Sequence, residues 1–302
     1  MRVAIAGSSG LIGRAVSSKL TAGNHSVTRI VRPYSDFSKE ENVVLWDPSS
    51  GLINREALED HDAVLNFAGE NIASGRWTGT KRRRIWSSRV DGTLLLSNAL
   101  ARVKKKPKVF ISASATGFYG NRDSSERLDE FSNRGRSFRS DLCHEWEKAT
   151  LPAQKAGIRV VLLRIGIVLS KTGGSLKRML PFFKWGLGGR FGDGKQILSW
   201  VALEDIPSIV KHIVSRDKLS GPVNAVSPHP VSNEAFTNML GSVLKRPVFL
   251  KIPGFLLKLI YGQMAKELLL EGAFVEPKVL IESGYRFVYP ALEKFFLKAF
   301  DA

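Results

Sequence analysis

Along the first half of the chain, short apolar runs rich in β-branched side chains alternate with stretches whose apolar residues recur every three or four positions. The first kind predicts buried strands and the second amphipathic helices, and their alternation predicts βαβ units around a parallel sheet. Strands are expected at Val3–Ala6, Ser26–Val31, Val43–Trp46, Ala63–Phe67, Val109–Ser112 and Val160–Arg164. Helices are expected at Leu11–Ala22, Arg82–Val103 and Phe138–Ala156, the last with Phe138, Leu142, Trp146 and Ala149 on one face.

After Ser170 the texture changes. Glycine-rich, aromatic loop sequence (Gly186 to Gly194) gives way to short elements, among them an amphipathic helix over Asn233–Lys245 and one or two helices over Ile252–Leu270, interrupted by Gly262. Residues 1–170, with part of 200–230, are expected to form a nucleotide-binding domain, and 171–302 a smaller lobe on the substrate side. A cleft between them is where α/β proteins usually bind substrate.

Composition narrows the classes. A single cysteine, Cys143, rules out an internal disulfide, and no Cys/His cluster has zinc-ligand spacing, so no metal is expected. The chain starts directly with a strand and has no run of about 18 apolar residues, which predicts a soluble, cytoplasmic protein without membrane contact. The net charge of +17 invites a nucleic-acid reading. Its densest pieces, Lys81–Arg84 and Lys104–Lys108, lack interleaved aromatics for base stacking, so they read as solvated surface that attracts anions generally, with no specific nucleic-acid partner.

Between the first strand and the first helix stands Gly7-Ser-Ser-Gly10-Leu-Ile-Gly13. Gly7 permits the tight turn, Gly10 lets the backbone approach a pyrophosphate, and Gly13 lets the helix pack on the sheet. The helix N-terminus then favours the anion. Arg32 follows the second strand, where an NAD-specific protein places an acidic residue against the ribose hydroxyl. A guanidinium there suits a 2′-phosphate, with Ser8, Ser9 or Arg29 as helpers, so the expected cofactor is NADP. The fold class is therefore α/β, a Rossmann-type doubly wound parallel sheet with a smaller C-terminal α+β lobe.

Together with this turn, the motifs Asn66-Phe-Ala-Gly69, Ser112-Ala-Ser-Ala-Thr-Gly-Phe-Tyr-Gly120 and Gly194 to Asp205 make the chain resemble extended short-chain dehydrogenases/reductases. More narrowly, Gly69-Glu-Asn-Ile72, Trp146 to Pro152 and Pro277 to Gly284 are similar to the atypical nucleoside-diphosphate-sugar epimerase-like subfamily with a short C-terminal domain of unknown function. The resemblance implies that Gly7, Ser9, Gly10, Leu11, Ile12 and Gly13 cradle the pyrophosphate and that Arg32 faces the 2′-phosphate. It implies that Asp47 meets the adenine amine, and that Phe67, Ala68 and Gly69 line the cofactor with Glu70 nearby. It places Ser114 at the catalytic serine, and Glu130, Arg139, Arg164, Gln196, Ser199 and Trp200 toward the substrate. Asp47 also reads as a turn cap and Ser114 as a partner of local backbone.

The same resemblance exposes a gap. Ordinary members carry Tyr-x-x-x-Lys on the helix after the serine, the tyrosine moving a proton and the lysine lowering its pKa and holding the nicotinamide ribose. Aligned through Glu147, Arg139 falls at the tyrosine and Cys143 at the lysine. Tyr119 is the best spare phenol, Cys143 reads as an inert thiol, and Arg139, Arg190 and Lys195 read either as anion binders or as solvated cations.

Two readings result. One is an NADP-dependent oxidoreductase or epimerase acting on a small polar, anionic or nucleotide-sugar-like metabolite with an unconventional proton donor. The other is a non-catalytic NADP-binding redox sensor or scaffold.

Overall fold

Because side chains alternate across a strand, each central strand feeds two cores at once. In the computed structural model, which describes residues 1–39 and 42–300, Val3 and Ile5 of the first strand join one apolar cluster, and Ala4 and Ala6 join another on the opposite face. That double burial requires helices on both sides of the sheet.

The sheet strands are β1 (Arg2–Ala6), β2 (Ser26–Val31), β3 (Val43–Asp47), β4 (Leu52–Ile53), β5 (Ala63–Asn66), β6 (Val109–Ala115), β7 (Arg159–Ile165) and β8 (Gly221–Ala225). Their spatial order is β8-β7-β6-β5-β1-β2-β3-β4. All neighbours run parallel except the β3–β4 pair at the edge. The order reverses between β1 and β5, and the crevice beyond their C-terminal ends is where such a sheet binds ligands.

Helices α1 (Leu11–Ala22) and α6 (Asp205–Val214) cover one face through Val16, Leu20, Ile206, Ile209 and Ile213. The other face is covered by α2 (Gly79–Arg102) and α4 (Leu151–Lys155), through Leu96, Leu100 and Ala153. The α2 helix starts three residues before the expected Arg82, because the Thr78 side chain caps it by accepting from the Lys81 backbone N–H at 3.1 Å. The expected long helix from Phe138 is two: α3 (Phe138–Lys148), capped by Ser137, then α4, which carries Pro152 in its first turn. Proline lacks the N–H that a continuous helix would need.

Strand β8 lies beyond residue 170 yet pairs with β7, from Gly221↔Val161 to Ala225↔Ile165. The remaining C-terminal elements gather around a third core of Leu176, Phe183, Trp200, Phe236, Leu240, Phe295 and Phe296. They include α5 (Gly174–Lys184), α7 (Asn233–Val243) and α8 (Gly254–Tyr261). The expected break falls at Gly262, whose φ of +60° suits glycine, and a wide helical turn over Lys266–Leu270 follows. Among the described residues, no helix is long and apolar enough to cross a membrane.

Candidate cofactor crevice and active site

The three glycines of the first turn answer to different constraints. Gly7 has φ +77°, and a Cβ there would lie 2.7 Å from the Ala68 nitrogen. A Cβ at Gly13 would fall 2.1 Å from the Gly7 carbonyl oxygen, so both positions are fixed by backbone packing. At Gly10 the nearest atom to a Cβ is the Gly7 carbonyl oxygen at 3.3 Å and φ is −74°, so packing restricts it much less than the other two. Gly10 is exposed, and α1 begins there with no side-chain cap and no acidic residue in its first turn. The first N–H groups of α1 and its positive dipole end are thus left without a side-chain partner.

On the β2 side, Arg32 is exposed, with its guanidinium 5.9 Å from the Tyr34 ring centre. Among the described residues, no carboxylate lies within 4 Å of it. Asp47 closes its own turn: Oδ1 accepts from the Ser49 N–H at 3.0 Å and the Ser49 hydroxyl at 2.6 Å, and Oδ2 accepts from the Ser50 hydroxyl at 2.9 Å. The Ser49 and Ser50 hydrogen bonds keep its pKa below the usual aspartate value.

Beyond β5, Asn66 donates to Thr93 at 2.8 Å and accepts from the Ala68 N–H at 3.2 Å, fixing the Phe67-Ala68-Gly69 segment. Glu70 accepts at 2.6 Å from the Lys81 ammonium, which also donates to Ser74 at 2.7 Å. That hydrogen bond lowers the Glu70 pKa. Lys81 itself is buried, which corrects its reading as part of a solvated basic run: its first-turn position on α2 turns it inward while Arg82, Arg83 and Arg84 stay exposed. Sequence reasoning also passed over Arg89, two turns along α2, whose guanidinium lies against Gly69 and 5.2 Å from the centre of the Trp146 ring.

The most ordered polar network centres on Arg164, which is 4% exposed. Its Nε and Nη2 donate to the two Glu147 carboxylate oxygens at 2.8 and 2.9 Å, and its Nη1 donates to the Tyr119 hydroxyl at 3.0 Å and the Glu130 carbonyl at 3.2 Å. The guanidinium stacks over Phe118, 3.5 Å from the ring centre. Ser114 donates to Glu147 Oε1 at 2.7 Å. Glu147, which served only as an alignment mark in the sequence, is thus the acceptor that organises both.

Several residues expected to face the substrate point inward instead. Arg164 spends its donors within the protein. Tyr119 is fully buried, spends its hydroxyl hydrogen on Asn224 Oδ1 at 2.8 Å, and has its pKa pushed up to about 12 by burial. Glu130 accepts the backbone N–H groups of Asn224 at 3.0 Å and Val279 at 3.3 Å; burial raises its pKa. Trp200 is a core residue that donates to the His229 carbonyl at 3.1 Å, and Ser199 bridges Ala273 and Val275. The Gln196 amide donates to the Phe191 carbonyl at 3.1 Å and the Leu269 carbonyl at 2.7 Å. For Tyr119, Glu130, Gln196, Ser199 and Trp200 the partners come from the chain between Phe191 and Val279, which packs back on the sheet.

Arg139 is paired by charge, with Nε 3.5 Å from Glu267 Oε2 and Nη2 3.5 Å from Glu271 Oε2, though neither contact is a hydrogen bond. It ties α3 to the turn after Gly262. Cys143 is buried, and burial first, then the Glu147 charge, pushes its thiol pKa up to about 11. Arg190 pairs with Glu234.

A model of the NAD dependent epimerase/dehydratase family matches residues 3–225, and a domain of unknown function (DUF1731) matches residues 252–297. The Mycobacterium tuberculosis epimerase family protein MT2273 is 44% identical over 285 residues, covering 94% of this chain and 93% of the relative. A crystal structure of human epimerase family protein SDR39U1 (isoform2) with NADPH superposes with a TM-score of 0.90 at 30% identity, covering 100% of this chain and 99% of that one. A nucleoside-diphosphate sugar epimerase from Corynebacterium glutamicum gives a TM-score of 0.82 at 32% identity, covering 99% of this chain and 58% of that one.

Proposed function

Because this chain belongs to the NAD dependent epimerase/dehydratase family, we propose that it binds NADP(H) and works as an oxidoreductase on a polar, anionic metabolite. The observation that carries the cofactor part is the junction of β1 and α1, where packing constrains Gly10 far less than Gly7 or Gly13 and the first turn of α1 has neither cap nor acidic residue. Gly7, Ser9, Gly10, Leu11, Ile12 and Gly13 would hold the pyrophosphate there through backbone N–H groups. Arg32, exposed and unpaired with any described carboxylate, favours a 2′-phosphate and hence NADP(H) over NAD(H). The NADPH in the human relative supports the same choice. Phe67, Ala68 and Gly69 would line the bound molecule, and Asp47 would offer the adenine amine the lone pairs its own turn leaves over.

When bound, the nicotinamide would supply hydride transfer. The protein's part is to position a substrate and handle its proton. Ser114 donates a hydrogen bond to Glu147, so a proton leaving a substrate alcohol would pass to the Ser114 oxygen as the Ser114 proton passes to Glu147. Carbonyl reduction would run the same relay in reverse; this pair is the protic route that remains. The net charge of +17 favours an anionic substrate.

A second reading, cofactor carriage without turnover, is favoured by one set of facts: Tyr119 and Cys143 are buried with raised pKa values and Arg139 is tied to two carboxylates. Fluorescence titration with NADPH and NADH tests the cofactor part. NADPH is expected to bind more tightly, and Arg32→Asp to reverse the order; equal affinity of the native protein for both would overturn the assignment. Loss of NADPH absorbance with a panel of anionic carbonyl compounds, abolished in Ser114→Ala, separates an enzyme from a carrier.

A further inference from the structure

On the α2 side of the crevice, Arg89 is a largely buried cation that keeps donors to spare. It projects from α2 toward the C-terminal end of β5, so closely that a Cβ at Gly69 would lie 3.0 Å from its guanidinium carbon and 3.2 Å from each terminal nitrogen. Its Nη1 donates to the Ile85 carbonyl at 3.3 Å and the Ser88 hydroxyl at 3.5 Å, both on its own helix. Among the described residues, no carboxylate lies within 4 Å, and its Nε and Nη2 make no hydrogen bond. Trp146 on α3 stacks beside it at 5.2 Å and shields one side. Burial is the main influence on this guanidinium and lowers its pKa, with opposing contributions from Cys143 and Glu70.

The surroundings say what those free donors are for. On the α3 side Arg139 is held by Glu267 and Glu271, and Cys143 is a buried thiol. Lys81 is consumed by Glu70 and Ser74. A dinucleotide whose pyrophosphate sits at the Gly7–Gly10 turn sends its adenosine half over β2, toward Arg32. Its other half must cross β5 at the switch point of the sheet, past Gly69. The first sugar met on that side carries two adjacent hydroxyl groups, and a planar guanidinium with spare N–H groups can donate to both.

We propose that Arg89 holds the vicinal hydroxyls of the second ribose of NADP(H), so that the nicotinamide half is positioned from α2 and not from α3. Arg89 is then a binding and positioning residue that takes no part in proton transfer, since a guanidinium stays charged. It also gives Gly69 a reason to be glycine, because any side chain there would push the guanidinium out of the crevice. This inference rests on the NADP(H) reading above.

The test compares two probes, NADPH and 2′-phospho-ADP; the second shares the 2′-phosphate, adenosine and pyrophosphate but lacks the second ribose and its nicotinamide. A control, 2′-phospho-ADP-ribose, restores the ribose alone and is expected to follow NADPH. Calorimetric titration of the full chain is expected to show Arg89→Met weakening NADPH by roughly 10- to 100-fold, the range for a lost charged hydrogen bond, while 2′-phospho-ADP changes by less than about twofold. Arg89→Lys should recover part of the loss, and an unchanged melting temperature would exclude a fold effect. If both probes weaken equally, Arg89 serves the pyrophosphate or the fold, and the proposal fails. If neither weakens, the proposal fails and the NADP(H) reading stands. If the native protein binds neither probe, the NADP(H) reading itself fails.

Discussion

Removing Arg164 should unfold much of what α3 and the sheet hold between them. In Arg164→Met the Glu147 carboxylate, whose side chain is 9% exposed, keeps Ser114 as a donor but loses both guanidinium bonds at 2.8 and 2.9 Å. A buried carboxylate stripped of its counter-charge costs about 3–5 kcal/mol. The Tyr119 hydroxyl and the Glu130 carbonyl lose a donor as well, each worth about 1 kcal/mol. Methionine recovers part of this by packing its stem under Phe118, so a net loss of about 4 kcal/mol is expected. That is a large part of the roughly 5–15 kcal/mol that stabilises a typical domain. Glu147→Leu should cost about as much, because it leaves the guanidinium without a partner. The double variant Arg164→Met/Glu147→Leu should be far more stable than the sum of the two losses implies, since neither charge is then left alone. Urea unfolding followed by both tryptophan fluorescence and far-ultraviolet dichroism measures all three, with coincident curves as the check on two-state behaviour. Strictly additive losses, or a single-variant loss below about 1 kcal/mol, would refute the view that the pair acts as one buried unit.

Gly10→Ala should keep its melting temperature within a few degrees yet lose NADPH binding, whereas Gly13→Ala, with its Cβ 2.1 Å from a backbone oxygen, should lose stability as well; equal effects of the two on stability would contradict the distinction between packing glycine and ligand glycine. Glu130 has a raised pKa in the folded state, so it contributes stability that is fully present below the unfolded value near 4.5 and is lost as pH rises through the folded value. Stability curves of the native protein and Glu130→Gln should therefore diverge in favour of glutamine as pH increases from that point, and parallel curves would sink the idea. Cys143, with its thiol pushed up to about 11, should react with thiol reagents at pH 8 only after unfolding, and Cys143→Ala should change NADPH affinity by less than about 1 kcal/mol. Rapid labelling of the native protein would show the thiol to be more open than its burial implies.

The sequence by itself determined whatever depends on neighbours along the chain. The turn from β1 to α1 was legible because strand, glycine spacing and helix lie within about twenty residues, and part of its steric logic is local: Gly13 packs on the Gly7 carbonyl, while the contact of Gly7 with Ala68 needs the fold. The parallel sheet followed from apolar runs separated by helical periods, and the break at Gly262 from a residue that tolerates positive φ. Even there, the cap at Thr78 and the break before Pro152 moved helix ends that periodicity alone could not place. Tertiary structure decided which side chains the crevice keeps. Glu130, Gln196 and Trp200 stand at positions that resemblance assigns to the substrate side, and Tyr119 was the spare phenol, but whether a side chain faces solvent or core depends on what packs over it. Here that is the returning C-terminal chain, which supplies Asn224, Val279 and Leu269 as partners from far along the sequence. Lys81 and Arg89 illustrate the converse. In the sequence they are two basic residues of a basic helix; in the fold, their faces of α2 turn toward Glu70 and Gly69, and a charge that enters a partly dry crevice acquires a specific partner or a reason to wait for one.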